Sequence, residues 1–126
     1  QRLKDEVRKR FSGRMSQTSA QLRDSWLRYI RGWCNYYALA NERSWRQNIS
    51  GWIRRHIRKC FWLRWHGVKG RKRNLLRLGV RPGQLGRCPM HGSSWPMARH
   101  PAMHQALDNR TLKRYGFLIP SDFAAQ

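Results

Sequence analysis

Between Trp45 and Trp65 the chain reads WRQNISGWIRRHIRKCFWLRW, a stretch without proline that predicts one long helix. Such a helix is about 33 Å long at 1.5 Å per residue. Turned at 100° per residue, Trp45, Ile49, Trp52, Ile53, His56, Cys60 and Leu63 share one side. Arg54, Arg55, Arg58, Trp62 and Trp65 fall roughly opposite, with Gly51 among them. The first side predicts a buried stripe. A helix buried along one stripe has no need of a second aromatic face. The arginine–tryptophan face is therefore expected to meet a partner that carries phosphates and bases.

The charge balance points the same way. The chain holds 27 Lys+Arg against 6 Asp+Glu, a formal net charge of +21 over 126 residues. Basic residues on an ordinary soluble surface come with matching acids, and here the acids are missing. Self-repulsion of that size is relieved by a polyanion. No long apolar run exists and most of the cations are arginine, so nucleic acid is favoured over a membrane. Forty per cent hydrophobic residues, with seven Trp, are enough for a modest core and exclude a wholly disordered tail. Three cysteines without paired spacing, Cys34, Cys60 and Cys88, argue against a disulfide framework and for a reducing compartment. The chain opens at Gln1 in the middle of a charged helical pattern, as expected for a piece of a longer protein.

Hydrophobic spacing predicts the remaining helices. Leu3, Val7 and Phe11 recur at i, i+4 and i+8. The second helix starts at a Thr18 or Ser19 cap and runs to about Ala40. Its buried side is Leu22, Trp26, Ile30, Trp33, Tyr37 and Ala40, and its outer side is Arg28, Arg31 and Asn35. Asn41 or Ser44 is expected to cap the long helix, which ends near Gly67. A basic loop from Val68 to Arg73 then leads into a third helix, about Arg71 to Leu78, stopped by Gly79. Residues 80–96 read as an irregular Gly/Pro/Ser-rich connector. A short helix from Pro101 to Leu107 and another turn from Thr111 to Tyr115, closed by Gly116, complete the chain. Gly32 and Gly51 lie inside helices at a cost of about 1 kcal/mol each relative to Ala, which suggests close backbone approach at those points.

Candidate chemistry is sparse. No adjacent Asp pair is available to hold two metal ions, and no phosphate-cradling glycine loop is present, so no catalytic residue and no cofactor are assigned. Cys88-x2-His91 followed by His100-x3-His104 offers four possible Zn²⁺ ligands in an unusual order, the basis of a rival reading as a metal-dependent nucleic-acid-processing domain. The main reading assigns no metal. His56, on the apolar face, reads as a core histidine. The stronger set is basic and aromatic: Arg54, Arg55, Arg58 and Lys59 on consecutive turns, Trp62 and Trp65 beside them, and Lys69, Arg71, Lys72 and Arg73 beyond. Trp62 and Trp65 either pack beneath the following segment or stack on bases.

Several separated motifs resemble one known family. RYIRGWCNYY at 28–37 resembles its "LRGWxNYF" helix, and Trp52 to Arg58 with Trp62 and Trp65 resembles its "WIRRRLR…W..W" helix. Arg73 to Gly79 resembles its "R..L..LG" turn, and Trp95 to Leu107 with Asn109, Leu112 and Gly116 resembles its "W..A.SP.L..AL.N..L...G" tail. The family is the maturase-specific region, also called domain X or thumb, of bacterial group II intron reverse transcriptases. The resemblance spans roughly Leu22 to Leu118. Departures are His100 in place of a small polar residue, Pro96-Met97 after the tryptophan, and Cys88 outside the pattern.

The resemblance implies an all-α, thumb-like helical bundle over residues 1–79. A loop-rich extension with short helices follows over 80–126, similar to the start of a DNA-binding region. It implies intron RNA, a template–primer duplex, target DNA and the parent's fingers and palm as partners, in a bacterial cytoplasmic ribonucleoprotein without membrane attachment. The polymerase aspartates of the family lie in the palm, so a piece of this kind is expected to bind without polymerising. The expected nucleic-acid contacts are Arg28, Arg31, Arg54, Arg55, Arg58, Lys59, Trp62, Trp65, Lys69, Arg71, Lys72 and Arg73. The alternative beside the metal reading is a general basic nucleic-acid-binding module.

Overall fold

The computed structural model describes residues 2–12, 17–37 and 43–123. Within them the chain is all-α, without a strand. The order is α1 (Arg2–Arg10), α2 (Ser19–Tyr37), α3 (Arg43–Arg64), α4 (Gly67–Arg77), α5 (Pro82–Leu85), α6 (Ser94–Met97), α7 (Pro101–Ala106), α8 (Asn109–Arg114) and a final 3₁₀ turn at Pro120–Phe123.

Local chemistry sets the ends of these elements. The Thr18 hydroxyl accepts from the Gln21 amide at 3.1 Å, and the Gln21 side chain accepts from the Thr18 amide at 3.0 Å, a reciprocal capping box that starts α2. Gly79, at φ +100°, closes α4: its amide donates to Leu76 O and the Val80 amide donates to Leu75 O. Gly116, at φ +92°, closes α8 with the same pair of bonds, to Lys113 O and Leu112 O. The Asp108 carboxylate accepts from the Thr111 amide at 2.7 Å and starts α8. Asn41, Ala40 and the Ser16 end of the first break lie outside the described residues. Ser44 is already inside α3 and is not its cap.

Two expectations about elements need correction. The stretch from Val68 to Arg73 is helix, not loop. Gly67, three residues after the end of α3, takes φ +72° and turns the chain into α4. Val68, Arg71, Leu75 and Leu78 then form the inner row of α4, each buried or half-buried. The charge run is the outer face of that helix. The 80–96 connector likewise contains two single-turn helices, α5 and α6.

The core is built around α3. Leu3, Val7 and Phe11 of the α1 segment, Leu22, Trp26, Ile30 and Cys34 of α2, and Ile49, Ile53, Ile57 and Cys60 of α3 belong to one apolar cluster. That cluster continues through Met97, Met103, Leu107, Leu112, Phe117 and Ile119, so the extension shares it. The last residues return to the first helices. Trp26 Nε1 donates to Leu118 O at 2.6 Å, and the Ser121 amide and hydroxyl meet Ser50 Oγ at 3.0 and 2.8 Å. Gly32 and Gly51 are exposed, and a Cβ added at either meets nothing within 4 Å. Close backbone approach is not the reason for either glycine. Trp45, expected in the buried stripe, is 39 % exposed and stacks on Trp33 with centroids 5.9 Å apart.

His56 sits between two tryptophans, 4.2 Å from the Trp52 ring and 4.5 Å from Trp95. The stack extends at both ends: Arg8 lies 5.2 Å over Trp52, and Arg55 lies 3.6 Å over Trp95. It ties α1, α3 and α6 together through three rings with a guanidinium over each outer one. His56 is 7 % exposed, and its Nδ1 has no hydrogen-bond partner among the described residues. Burial, then the charges of Lys59, Arg8 and Arg55, pull its pKa from 6.5 down to about 4. Below pH 6.5 the unfolded chain takes up a proton that the folded chain refuses until about pH 4. Stability is therefore full above pH 7 and falls by roughly 3 kcal/mol as the pH drops to 4. Urea titrations at a series of pH values should show this acid loss, and His56→Leu should flatten it. An acid limb of the same depth in His56→Leu would assign the loss to other groups.

Candidate nucleic-acid interface

The second face of α3 is covered by the protein's own extension. Trp62 is 0 % exposed and donates from Nε1 to Gly92 O at 3.0 Å. Arg58 is 3 % exposed, with Nε on Leu107 O at 2.7 Å and Nη2 on Asn109 Oδ1 at 3.0 Å. Arg55 grips Trp95 O with Nε at 3.2 Å and Nη2 at 3.0 Å while stacking on the same residue's ring. Arg71 of α4 reaches back, with Nη1 on Met90 O at 2.7 Å, Nε on Trp62 O at 3.2 Å and its guanidinium 4.4 Å from the Trp62 ring. Trp65 is also buried.

This corrects the expectation that the face is open. The residues that look like a nucleic-acid grip point their donors at backbone carbonyls of the protein itself, in α6, at the end of α7 and in the turns before α6. Of the two alternatives for Trp62 and Trp65, the structure has them packed beneath the following segment. Burial draws the Arg58 pKa down to about 10, with Arg54 pushing the same way and Asp108 opposing. Arg54, Lys59 and Arg71 are half-buried, and burial lowers each of their pKa values.

The open cations lie elsewhere. On α4, Lys69, Lys72, Arg73 and Arg77 are exposed, with Leu76, 43 % exposed, in their midst. At 100° per residue they occupy an arc of about 140°. The α4 sequence GVKGRKRNLLR contains no acid. Among the described residues the acids are engaged elsewhere: Asp5 pairs with Arg8, Glu6 with Arg10, Asp24 with Arg23 and Asp122 with Lys113, while Asp108 caps α8. Within the same residues, no ion pair neutralises the α4 row. Arg28 and Arg31 form a second exposed pair on the outer row of α2, beside Asn35.

Sequence reasoning missed Arg77. The signal was present, since Lys69, Arg73 and Arg77 are spaced by four, but reading 68–73 as a loop hid the register. The structure does not bring the proposed zinc ligands together: no three His, Cys, Asp or Glu side chains meet among the described residues. His100 Nδ1 instead accepts the Ala102 amide at 3.1 Å and caps α7. Cys88 is buried, and burial raises its pKa, which disfavours the thiolate a metal needs. No helix among the described residues is long and apolar enough to cross a membrane.

A family model described as "Group II intron, maturase-specific domain" matches residues 1–79. No curated protein matches the chain.

The two classes of cation should separate on mutation. Arg58→Ala strands Leu107 O and removes charge-assisted bonds, so it should cost about 2–4 kcal/mol in urea denaturation. Lys72→Ala, on the outer row, should change stability by no more than about 0.5 kcal/mol. Equal and small effects would contradict the burial of Arg58.

Proposed function

The chain belongs to the group II intron maturase-specific family, and from that premise we propose that it is the RNA-binding module of an intron-encoded reverse transcriptase. It grips intron RNA and the template–primer duplex, and so assists intron splicing and retrohoming. Residues 1–79 serve as the thumb behind the parent's fingers and palm. Residues 80–126 brace that thumb and begin a region that meets target DNA. The module binds and does not polymerise, since the catalytic aspartates belong to the palm of the parent. It works in the bacterial cytoplasm as part of a ribonucleoprotein.

The observation that carries this reading is the uncompensated row on α4. From Lys69 to Arg77 the helix rises about 12 Å, the axial length of three to four phosphate steps of one strand in a duplex. Four cations in that length match the spacing of a phosphate backbone. We assign Lys69, Lys72 and Arg73 as the primary contacts, joined by Arg77, with Arg28 and Arg31 as a second set. Arg54 and Lys59 are half-exposed and contribute at the margin. Arg55, Arg58, Arg71, Trp62 and Trp65 hold the extension against α3 and so fix where the α4 row points.

Phosphate contacts give affinity, and the shape of the folded intron gives specificity. The α4 row should therefore appear in the salt dependence. Combining Lys69→Gln, Lys72→Gln and Arg73→Gln should lower the slope of log affinity against log salt by about 2 to 3 and weaken RNA binding, with helicity by circular dichroism unchanged. An unchanged slope would remove α4 from the interface. Parallel titration of a structured group II intron RNA and an unrelated RNA of equal length separates a maturase module from a general basic binder, which would hold both equally.

A further inference from the structure

At its C-terminal end the α4 row runs into a cavity of about 290 Å³ whose lining combines Arg77, Arg23, Phe61, Tyr115 and Phe117. The two sources of this lining differ. Arg23, Phe61 and Arg77 come from the segment that matches the family, and Tyr115 and Phe117 come from the extension outside it. Phe61 and Phe117 meet edge to face with centroids 5.4 Å apart. Tyr115 is 39 % exposed at the rim, and Arg114 lies 5.6 Å over its ring. Arg23 is held in place from two sides. Its Nε pairs with Asp24 at 3.1 Å, and its stem crosses Gly116, where an added Cβ would stand 2.7 Å from Arg23 Cδ. Gly116 thus serves two needs at once, the turn at the end of α8 and the passage of Arg23.

Aromatic rings flanked by guanidinium groups are the chemistry that holds an unstacked base and its phosphate. A purely apolar ligand would leave the exposed Arg77 without a counterpart, and a bare anion would have no use for the half-buried Phe61 and the exposed Tyr115, beneath which the buried Phe117 forms the floor. Arg77 belongs both to the phosphate-spaced row and to the cavity lining, so a strand lying on α4 delivers its next nucleotide to the opening. The geometry points to capture of one unpaired nucleobase in this cavity, from a strand whose neighbouring phosphates lie along α4. The inference rests on the RNA-binding reading above and adds to it a site for a flipped or bulged base.

The test uses the full chain and three RNA hairpins: fully paired, carrying a single unpaired base, and carrying an abasic residue at the unpaired position. The wild-type protein should prefer the bulged hairpin over the paired one by roughly tenfold, the scale of one base–aromatic stack. The abasic bulge should bind like the paired hairpin. Tyr115→Ala, at an exposed position, should abolish the preference, and Tyr115→Phe should keep it. A preference that survives in Tyr115→Ala, or an abasic bulge bound as tightly as the intact one, would overturn the base pocket. The triple variant of Lys69, Lys72 and Arg73 distinguishes the two levels of inference. If it leaves affinity for the paired hairpin unchanged, the RNA-binding reading fails. If it weakens that affinity while the bulge preference persists in Tyr115→Ala, only the pocket fails. The same hairpins in DNA identify the source of the base: preference in RNA alone means that the sugar is read, and equal preference means that capture depends on the base.

Discussion

The fold depends on donors from long side chains reaching backbone carbonyls that no helix satisfies. The extension is made of one- and two-turn helices, and short helices leave a large share of their carbonyls unpaired. Buried carbonyls without partners cost about 1–3 kcal/mol each. Arginine and tryptophan N–H groups meet such carbonyls and those of the neighbouring turns: Arg55 on Trp95 O in α6, Arg58 on Leu107 O at the end of α7, Trp62 on Gly92 O and Arg71 on Met90 O in the turns before α6, and Arg64 on Gln17 O ahead of α2. The same geometry holds the end of the chain, with Trp26 on Leu118 O. Arginine suits the task because its fork of donors is planar and its stem packs along apolar surface. α3 is buried on two sides because the second side carries these donors.

This arrangement divides the positive charge into two populations. One is inward, stacked on Trp62 or Trp95 and bound to carbonyls, and stabilises the protein. The other is outward, on α1, on the outer row of α2, on α4 and along the extension at Arg81, Arg87, Arg99, Arg110 and Arg114; the α4 row has no carboxylate among the described residues to neutralise it. The high net charge is thus partly inward and partly outward. Its inward part orients the outward part, because Arg71 anchors α4 to residues 62 and 90 through its inner row while Lys69, Lys72, Arg73 and Arg77 project from the other side. In the proposed reading, affinity for a polyanion comes from outward lysines and arginines, and the rigidity of the surface that presents them from inward arginines.

Much of the helical layout was legible in the sequence. Leu3, Val7 and Phe11 at i, i+4 and i+8, the Thr18 start of α2, and Gly79 and Gly116 as stops all rest on local chemistry, and local chemistry does not depend on what packs above it. The second face of α3 was not legible. An arginine–tryptophan face that meets a loop-rich segment of its own chain has the same composition as one that meets RNA, since both partners present acceptors and flat surfaces. Periodicity identifies the face and not its occupant. The α4 register was hidden for a different reason: Gly67 precedes a charge run and Gly70 interrupts it, so the stretch imitates a loop, and only the inner row of Val68, Arg71, Leu75 and Leu78 reveals the helix. The cavity at Tyr115 was beyond sequence reasoning, because it joins residues from four separate elements.

The central claim is that the two populations of arginine have different work. Arginine footprinting with a guanidinium-selective reagent, read by mass spectrometry with and without bound intron RNA, tests it directly. Arg73 and Arg77 should react in the free protein and be protected by RNA, while Arg58 should stay unreactive in both states. Labelling of Arg58 in the free protein and its protection by RNA, with Arg73 and Arg77 indifferent, would contradict the account.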